Sequence, residues 1–416
     1  MRRTFLATAI CLPLLASCRA FRLLEHDLEE LERFRPVNVT LVNPDGGEGM
    51  HTLYVFSAET NEAARFRFRR GAGRIEMDLE EGDYYFAAYE DTNDSAHFDE
   101  GEMGTVYGLA EADRPVAMTI ERGLEPLEIE LTLGSTGDLS EETLAWVQQA
   151  RDANPELRHN VARDAQLSEV RFDQVESEKG MWQPSLFIEE KLPGMYLLEP
   201  YDPNRTPVLF VHGIGGSPRE FESIVDALDK ERFQAWVFFY PSGLRLGALG
   251  GYLRKSIDDV CALHKADKIA VVAHSMGGLV STNAVTRPSD TDVETCLFVT
   301  IASPLNGIAS AGSGVEWAPT VMPSWYDLTP QSGFLNELYA TMPEDMPYYL
   351  GFAFLHDGDP SGDGVVPMRS QLRSEAQEYA REMRGYNASH VGVLSDPGCI
   401  EWLNGLLDEH AAPSAD

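Results

Sequence analysis

The feature that most constrains the fold is an apolar run that stops at a serine, in Lys268–Ser281 (KIAVVAHSMGGLVS). The run before the serine is short, apolar and β-branched, which predicts a strand covered on both faces. After Met276, apolar residues recur at helical spacing as far as Val285. Ser275 is therefore predicted on a sharp strand-to-helix turn, where a strained backbone can hold its hydroxyl out of the sheet.

The residues two places before and after Ser275 are both small, namely Ala273 and Gly277. The resulting pattern, A-x-S-x-G, differs by one methyl group from the G-x-S-x-G turn that presents a nucleophilic serine. The alternative is an ordinary strand–helix junction with an incidental serine. Partner residues elsewhere in the chain must decide between the two interpretations.

Length and charge limit the classes of function. The chain has 416 residues, enough for two domains with separate cores. Its net charge is −34, with 33 Lys and Arg against 67 Asp and Glu. This acidity argues against nucleic-acid partners and disfavours anionic polymers as substrates.

The first residues are typical of a secretory signal. Two arginines precede an apolar run, Phe5–Leu15, that is too short to span a bilayer. The run ends in LASC, which resembles the bacterial lipobox, so we predict a signal peptide over residues 1–17 and acyl chains such as palmitate on Cys18. A plain cleaved signal with a chance cysteine is the alternative. Because Arg19 rather than Asp follows the cysteine, we predict a lipid-anchored protein of the bacterial cell envelope, at the outer rather than the inner membrane.

The next segments predict a tether and a β-rich domain. Residues 18–35 are highly charged and predict a tether or a short helix. From 36 to 135, six or seven runs alternate apolar and polar residues, as in Leu127–Leu133, and turn sequences separate them. We predict an antiparallel sandwich of immunoglobulin-like type.

An acidic loop inside this domain, residues 91–102 (DTNDSAHFDEGE), has oxygen-bearing residues at EF-hand-like offsets. However, Ala96 occupies the position that requires glycine, and flanking helices are not predicted. We therefore interpret it as a solvated acidic loop and leave calcium binding open.

The second half predicts a different fold. Residues 136–179 predict a helical connector, and residues 180–412 alternate strands with helices, which is typical of a mostly parallel α/β sheet. The predicted strands are Pro207–His212, Ala235–Tyr240, Ile269–Ala273, Leu297–Ile301 and Tyr348–Leu355. The predicted helices lie near 219–230, 246–265, 277–287 and 397–409.

Three cysteines remain after the predicted signal and lipidation site, Cys261, Cys296 and Cys399. They have no metal-ligand spacing, and they allow at most one disulfide, whose pair the spacing does not choose. No metal or organic cofactor is predicted.

Two further motifs carry groups that a serine nucleophile needs, which are a base and an acid that orients it. A predicted strand ends upstream in a glycine-rich turn, His212–Gly216 (HGIGG). Downstream lie SGDGVVP at 361–367 and ASHVG at 388–392.

With these motifs, residues 180–410 resemble the α/β-hydrolase lipases and esterases. The run LLEPYDPNRTPVLFVHGIGGSPREF, with YPSG at 240–243, is similar to the GPI inositol-deacylase-like branch of bacterial hydrolases. The resemblance implies Ser275 as nucleophile, His390 as base and Asp363 as acid, in the order of the family. It also implies that the N–H groups of Ile214 and Met276 form the oxyanion hole.

Several residues compete for these roles. The other candidate acids are Asp327, Asp357 and Asp359. Asp363 is preferred because glycines on both sides permit a sharp turn, and because Val365, Val366 and Pro367 are predicted to cover its charge. His212 and His274 are interpreted as structural histidines.

An insertion follows Ser303-Pro304-Leu305 and extends to Tyr348. Its apolar residues could line an acyl pocket, form a lid, or pack as a satellite cluster. They are Trp317, Met322, Trp325, Phe334 and Leu335.

The combined prediction is a membrane-tethered serine hydrolase acting on lipids or other acyl esters. An acyltransferase, a thioesterase or an amidase could use the same three residues. An inactive hydrolase domain in a surface binding protein is the alternative from a different class.

Overall fold

The computed structural model describes residues 20–413 except 61, 94–100, 109–114, 124, 136–142, 144, 146, 148–161 and 357–361. The predicted signal peptide, Cys18 and the centre of the acidic loop lie outside the described residues. So do two of the competing acids, Asp357 and Asp359.

Residues 20–31, within the predicted tether, are helical. Leu24 and Asp27 of this helix are buried. The Asp27 carboxylate accepts hydrogen bonds from the backbone N–H (2.8 Å) and hydroxyl (2.7 Å) of Ser185, at the start of a helix in the second half of the chain. This part of the predicted tether is therefore docked on the second half.

The predicted β-rich domain is present and consists of two sheets with the strand orders β4-β1-β8 and β3-β2-β5-β6-β9, with β7 beside β5. In β4 the apolar residues Ile75, Met77 and Leu79 are buried and their neighbours are exposed, so the alternation read from the sequence does orient the side chains. The strands are β1 (Phe34–Val42), β2 (Met50–Ser57), β3 (Ala63–Arg70), β4 (Gly73–Glu80), β5 (Gly82–Asp91), β6 (Met103–Val106), β7 (Met118–Ile120), β8 (Leu127–Thr132) and β9 (Gly134–Ser135).

The predicted sandwich is present, but the predicted antiparallel pairing is wrong at one pair of strands. β1 and β8 run parallel, with Val37 opposite Leu127. A short hairpin can join only antiparallel strands, whereas these two are separated by most of the domain and can therefore pair in parallel.

The second half contains one eight-stranded sheet with the order β10-β11-β13-β12-β14-β15-β16-β17. β11 is antiparallel to β13, and the pairs from β13 to β17 are parallel. The strands are β10 (Ala162–Asp164), β11 (Gly194–Leu197), β12 (Thr206–Val211), β13 (Phe233–Phe239), β14 (Lys268–His274), β15 (Glu294–Ile301), β16 (Tyr348–Phe354) and β17 (Glu382–Asn387).

Helices cover both faces of this sheet. On one face Val271 packs with Leu253 and Ile257, and on the other Val272 packs with Leu403 and Leu407. The α-helices are Gln174–Trp182, Pro184–Glu189, Glu222–Asp226, Leu246–His264, Met276–Val285, Ala309–Trp317, Pro323–Leu328, Gly333–Glu337, Met368–Gln371, Ser374–Tyr379 and Pro397–His410, with 3₁₀ turns at Val170–Phe172, Pro218–Phe221 and Gly392–Ser395. Among the described residues, no helix is both long and apolar enough to cross a membrane.

The two halves meet along the helix Leu246–His264. Ala262 and Leu263 pack against the outer face of the six-stranded sheet, and Arg67 forms a 2.9 Å ion pair with the buried Asp259. The connector predicted over 136–179 contains helical positions at Thr143 and Val147, but also strand β10. The boundary predicted at residue 180 falls inside the helix Gln174–Trp182.

Candidate active site

Ser275 lies between the end of β14 and the helix Met276–Val285. Its φ of 53° and ψ of −130° put a non-glycine residue in a sparsely populated region, at a cost of about 1–3 kcal/mol. Its N–H donates to the carbonyl oxygen of Ile301 at 2.9 Å, which holds the turn against β15. The predicted strained turn is therefore present.

The small residues around Ser275 are required by close contacts. A Cβ on Gly277 would collide with the carbonyl oxygens of Val211 and His212, at the end of β12. A Cβ on Gly213 would lie 2.8 Å from the Cβ of Ser275. The glycine-rich turn after β12 thus approaches the serine at a distance that a larger residue could not keep.

The structure brings Ser275, His390 and Asp363 into one hydrogen-bonded line. His390 Nε2 lies 2.8 Å from Ser275 Oγ, and His390 Nδ1 lies 2.7 Å from Asp363 Oδ2. Because a carboxylate only accepts hydrogen bonds, Nδ1 carries the proton and Nε2 is free to accept the serine proton. Ser275 is 5% exposed and His390 9% exposed, so this line is shielded from bulk water.

Asp363 is held by backbone groups as well as by His390. Its Oδ1 accepts hydrogen bonds from the N–H groups of Val365 (2.9 Å) and Val366 (2.7 Å). Burial raises the pKa of Asp363, but the hydrogen bonds from His390 and these N–H groups lower it below its ordinary value overall. Gly364 has a φ of 95°, as the predicted sharp turn requires. Asp363 is 1% exposed and Val366 is buried beside it, so the acid is poorly solvated, whereas Val365 itself is 59% exposed.

Sequence reasoning missed Gln371, a buried residue beside the acid. Its Nε2 lies 3.2 Å from Asp363 Oδ2 and 3.0 Å from the Val366 carbonyl oxygen. Its Oε1 accepts from the Ala353 N–H at 2.8 Å. Gln371 thus joins the acid loop to β16, and no sequence motif marks this role.

The two predicted oxyanion donors have no competing acceptor among the described residues. The neighbouring N–H groups of Gly213 and Gly215 donate to Glu220 Oε1 (3.2 Å) and Ser242 Oγ (3.0 Å). No hydrogen bond from the N–H of Ile214 or Met276 occurs in the described part of the chain. Met276 is also the first residue of its helix, where the helix dipole favours negative charge.

Asp327, a competing candidate for the acid, has a structural role. It is 2% exposed, forms an ion pair with Arg245 at 2.7 Å and accepts the N–H of Leu246 at 2.7 Å. Leu246 begins the helix Leu246–His264, so Asp327 ties the insertion to that helix start.

Four of the five apolar residues singled out in the insertion pack on the core. Met322 and Leu335 are fully buried, and Trp325 and Phe334 are partly buried against the core below them. Of the five apolar residues singled out in the insertion, only Trp317, at 77%, is exposed as a residue of a lid or an open pocket would be.

His212 lies outside the hydrogen-bonded line. Its ring stacks on Tyr240 with centroids 4.3 Å apart, and burial lowers its pKa. His274 is buried beside His390, with ring centroids 4.7 Å apart. His274 thus touches the site, although the sequence indicated only a structural role.

The remaining candidate sites are simpler. The three cysteines at 261, 296 and 399 are free and buried, and burial raises the pKa of each thiol. In the described part of the acidic loop, Glu102 accepts the N–H of Thr92 at 2.9 Å. Across the described residues no group of three or more His, Cys, Asp or Glu could hold a metal ion.

Residues 204–330 match the model of a family described as "Putative serine esterase (DUF676)". This span contains the turn after β12 and Ser275, but it ends before Asp363 and His390. None of the curated proteins matches the chain.

Solved structures, two of them lipases, are similar to about half of the chain. A lipase from Bacillus licheniformis in its mature form is 17% identical, with a TM-score of 0.42 and coverage of 51% of this chain and 97% of the lipase. Lipase B from Aspergillus fumigatus is 18% identical, with a TM-score of 0.41 and coverage of 53% and 57%. A gene product from Listeria innocua is 19% identical, with a TM-score of 0.39 and coverage of 51% and 96%. Identities and TM-scores this low do not indicate a substrate.

The strand order supplies the fold independently of these likenesses. Ser275 follows the central strand β14, and the two loops that carry Asp363 and His390 follow β16 and β17 at the carboxyl edge of the same sheet. The strand order, the turn at Ser275 and the family match identify an α/β-hydrolase domain of the serine esterase type in this chain.

Proposed function

We propose that the protein is a membrane-tethered serine hydrolase that cleaves carboxylic esters of lipids or other acyl compounds. The observation that carries this proposal is the line from Ser275 Oγ through His390 to Asp363, with bonds of 2.8 and 2.7 Å. A hydroxyl, an imidazole and a carboxylate in this order are the groups that acyl transfer through serine requires.

In the first half-reaction, Ser275 Oγ bonds to the ester carbonyl carbon while its proton passes to His390 Nε2. Asp363 stabilises the imidazolium that forms. The carbonyl oxygen becomes an oxyanion, which the N–H groups of Ile214 and Met276 bind, each worth about 3 kcal/mol. Collapse of the intermediate breaks the bond to the alcohol, which leaves with the proton from His390.

In the second half-reaction, water attacks the acyl group on Ser275. His390 takes a proton from the water and returns one to Ser275 Oγ as the acid is released. The same five groups therefore serve both steps, and the two oxyanion donors are used twice.

The surroundings of the site favour an apolar substrate. Val365 lies two residues after Asp363 and Val391 directly follows His390 in the sequence. They are 59% and 53% exposed. We take these two exposed valines near the acid and the base in the sequence as support for an acyl chain rather than a charged group in the substrate.

The tether is the second part of the proposal. The LASC sequence supports lipidation of Cys18, which would place the enzyme on a membrane of the cell envelope. Mass spectrometry of the mature N-terminus tests this: an acylated Cys18 is expected, and an unmodified N-terminus at another residue would refute the tether. Cys18→Ser should leave the protein soluble or uncleaved.

The hydrolase itself is tested by labelling and turnover. A fluorophosphonate probe should label the wild type and not Ser275→Ala. Rates on p-nitrophenyl esters of increasing chain length then define the acyl preference, with Ser275→Ala as the background. Ester cleavage that persists unchanged in Ser275→Ala would contradict the proposal.

A further inference from the structure

A second carboxylate–imidazole pair lies directly behind the proposed catalytic line. Glu220, in the turn Pro218–Phe221, has a side chain that is 11% exposed. Its Oε1 lies 2.8 Å from His274 Nδ1 and accepts the N–H of Gly213 at 3.2 Å. The mechanism above uses neither Glu220 nor His274.

The partners of His274 indicate its protonation state. Nδ1 faces the carboxylate of Glu220, and Nε2 lies 3.0 Å from the carbonyl oxygen of His390. Both partners accept hydrogen bonds, so both ring nitrogens donate and the ring carries a positive charge. Burial alone lowers the pKa of His274, but the charge and hydrogen bond of Glu220 and the bond to His390 raise it above its ordinary value.

The pair contacts both halves of the site. On one side, Glu220 holds Gly213, the residue before Ile214, whose N–H is the proposed oxyanion donor. A Cβ on Gly216 would lie 2.5 Å from Glu220 Oε2, so the turn closes tightly around this carboxylate. On the other side, His274 holds the backbone of the catalytic histidine.

We infer that Glu220 and His274 are positioning residues that couple the oxyanion turn to the loop of His390. This inference rests on the proposed function. Glu220 keeps His274 charged, the charged ring donates to the His390 carbonyl oxygen, and the same carboxylate fixes the Gly213 peptide. One buried pair thus sets the distance between the base and the oxyanion hole, where small displacements cost large factors in rate.

The charge on His274 has a second consequence. The titratable groups that act on it are Glu220, His390, Asp363 and His212. Its positive charge opposes the positive charge that His390 acquires when it takes the serine proton. Removing the His274 charge should therefore move the acid limb of the activity profile to higher pH.

The test uses Glu220→Gln and His274→Gln in the full-length chain. Matched controls are the same changes at the exposed residues Glu222 and His26. Both test variants should lower kcat on a p-nitrophenyl ester by about 10- to 100-fold, with KM changed by less than about threefold. The rate of fluorophosphonate labelling of Ser275 should fall by a similar factor. In His274→Gln the acid limb of the kcat/KM profile should move up by about 0.5–1 pH unit.

Glu220→Asp separates positioning from general stability. It keeps the charge on a shorter side chain, so the wild-type pH profile should persist although kcat is reduced. If circular dichroism shows that Glu220→Gln does not fold, the pH–rate profiles of Glu220→Asp and His274→Gln test the inference instead. The inference is overturned if His274→Gln keeps the wild-type kcat and the wild-type acid limb. It is also overturned if the loss of kcat matches the unfolded fraction of the variant at every pH. An unlabelled wild type would instead refute the proposed function.

Discussion

The hydrolase domain contains two buried carboxylate–histidine pairs side by side that differ in their outer contacts. Asp363 and Glu220 approach the Nδ1 atoms of His390 and His274 at 2.7 and 2.8 Å. The Nε2 of His390 meets a serine hydroxyl, whereas that of His274 meets a backbone carbonyl oxygen. A hydroxyl can give up its proton and a carbonyl cannot, so only His390 can act as a base.

The same comparison explains why the two rings differ in charge, His390 being neutral and His274 positive. His390 faces one acceptor and one hydroxyl, so a single ring proton satisfies both contacts. His274 faces two acceptors and needs two ring protons. The identity of the partner at Nε2, more than the carboxylate at Nδ1, therefore decides whether such a pair transfers protons or holds structure.

The largest effect is expected from removing the proton-transferring ring. His390→Gln should lower kcat by about 10⁵- to 10⁶-fold, because loss of one member disables a triad that acts as a unit. Steady-state hydrolysis of a p-nitrophenyl ester measures the loss, and His26→Gln is the control at an exposed histidine. If kcat falls no further in His390→Gln than in His274→Gln, the two pairs do not differ in function as proposed.

The acid of the first pair is expected to contribute less. Asp363→Asn should keep the fold and lower kcat by about 10³- to 10⁴-fold, because the amide no longer fixes the tautomer of His390. Asp327→Asn is a matched control at another buried aspartate, and it should cost less than about tenfold in kcat. Near-normal turnover in Asp363→Asn, with collapse in Asp327→Asn, would exchange their assigned roles.

The smallest expected effect is on the pH dependence of folding stability. Acidification should remove the contribution of the first pair, and alkalinisation should remove that of the second. The pKa of Asp363 is lowered in the folded protein. Its contribution to folding stability is therefore present above the ordinary carboxyl pKa of about 3.9 and is lost as the pH falls through the lowered pKa. The pKa of His274 is raised in the folded protein. Its contribution to folding stability is therefore present below the ordinary histidine pKa of about 6.5 and is lost as the pH rises through the raised pKa.

Thermal unfolding of the variants measures this difference. The loss of Tm in His274→Gln relative to the wild type, about 2–4 °C, should be largest near pH 5.5 and shrink toward pH 9. For Asp363→Asn the difference from the wild type should shrink below pH 4. A loss in His274→Gln that grows with pH would contradict a charged ring in the second pair.

The predictable part of the fold follows from local patterns. The five predicted strands of the large sheet and the helices near 246–265 and 397–409 are present, because buried strands and amphipathic helices have strong periodicities. The two edge strands, β10 and β17, and the strand β11 beside β10 were not predicted. β17, for example, has five exposed residues of six, so it lacks an apolar pattern and depends on pairing with β16.

The residues of the candidate site also divide into those that short motifs predict and those that only the structure reveals. Ser275, Asp363 and His390 stand in short motifs whose glycines are needed by the backbone, as the φ of Gly364 and the close contact at Gly277 demonstrate. Glu220 and Gln371 stand in no such motif. Their roles depend on side-chain contacts outside any motif: Glu220 reaches His274, 54 residues away, and Gln371 reaches Asp363 and Ala353, 8 and 18 residues away.

The sequence by itself determined where the turns lie and which residue types they carry, because turn geometry and strand burial act within a few neighbouring residues. Only the tertiary structure decided that Val365 is exposed, that Asp327 ties the insertion to a helix start, and that His274 contacts His390. These contacts join segments up to 116 residues apart. They are selected by burial and by the need to pair every buried polar group, which the order of residues alone does not reveal.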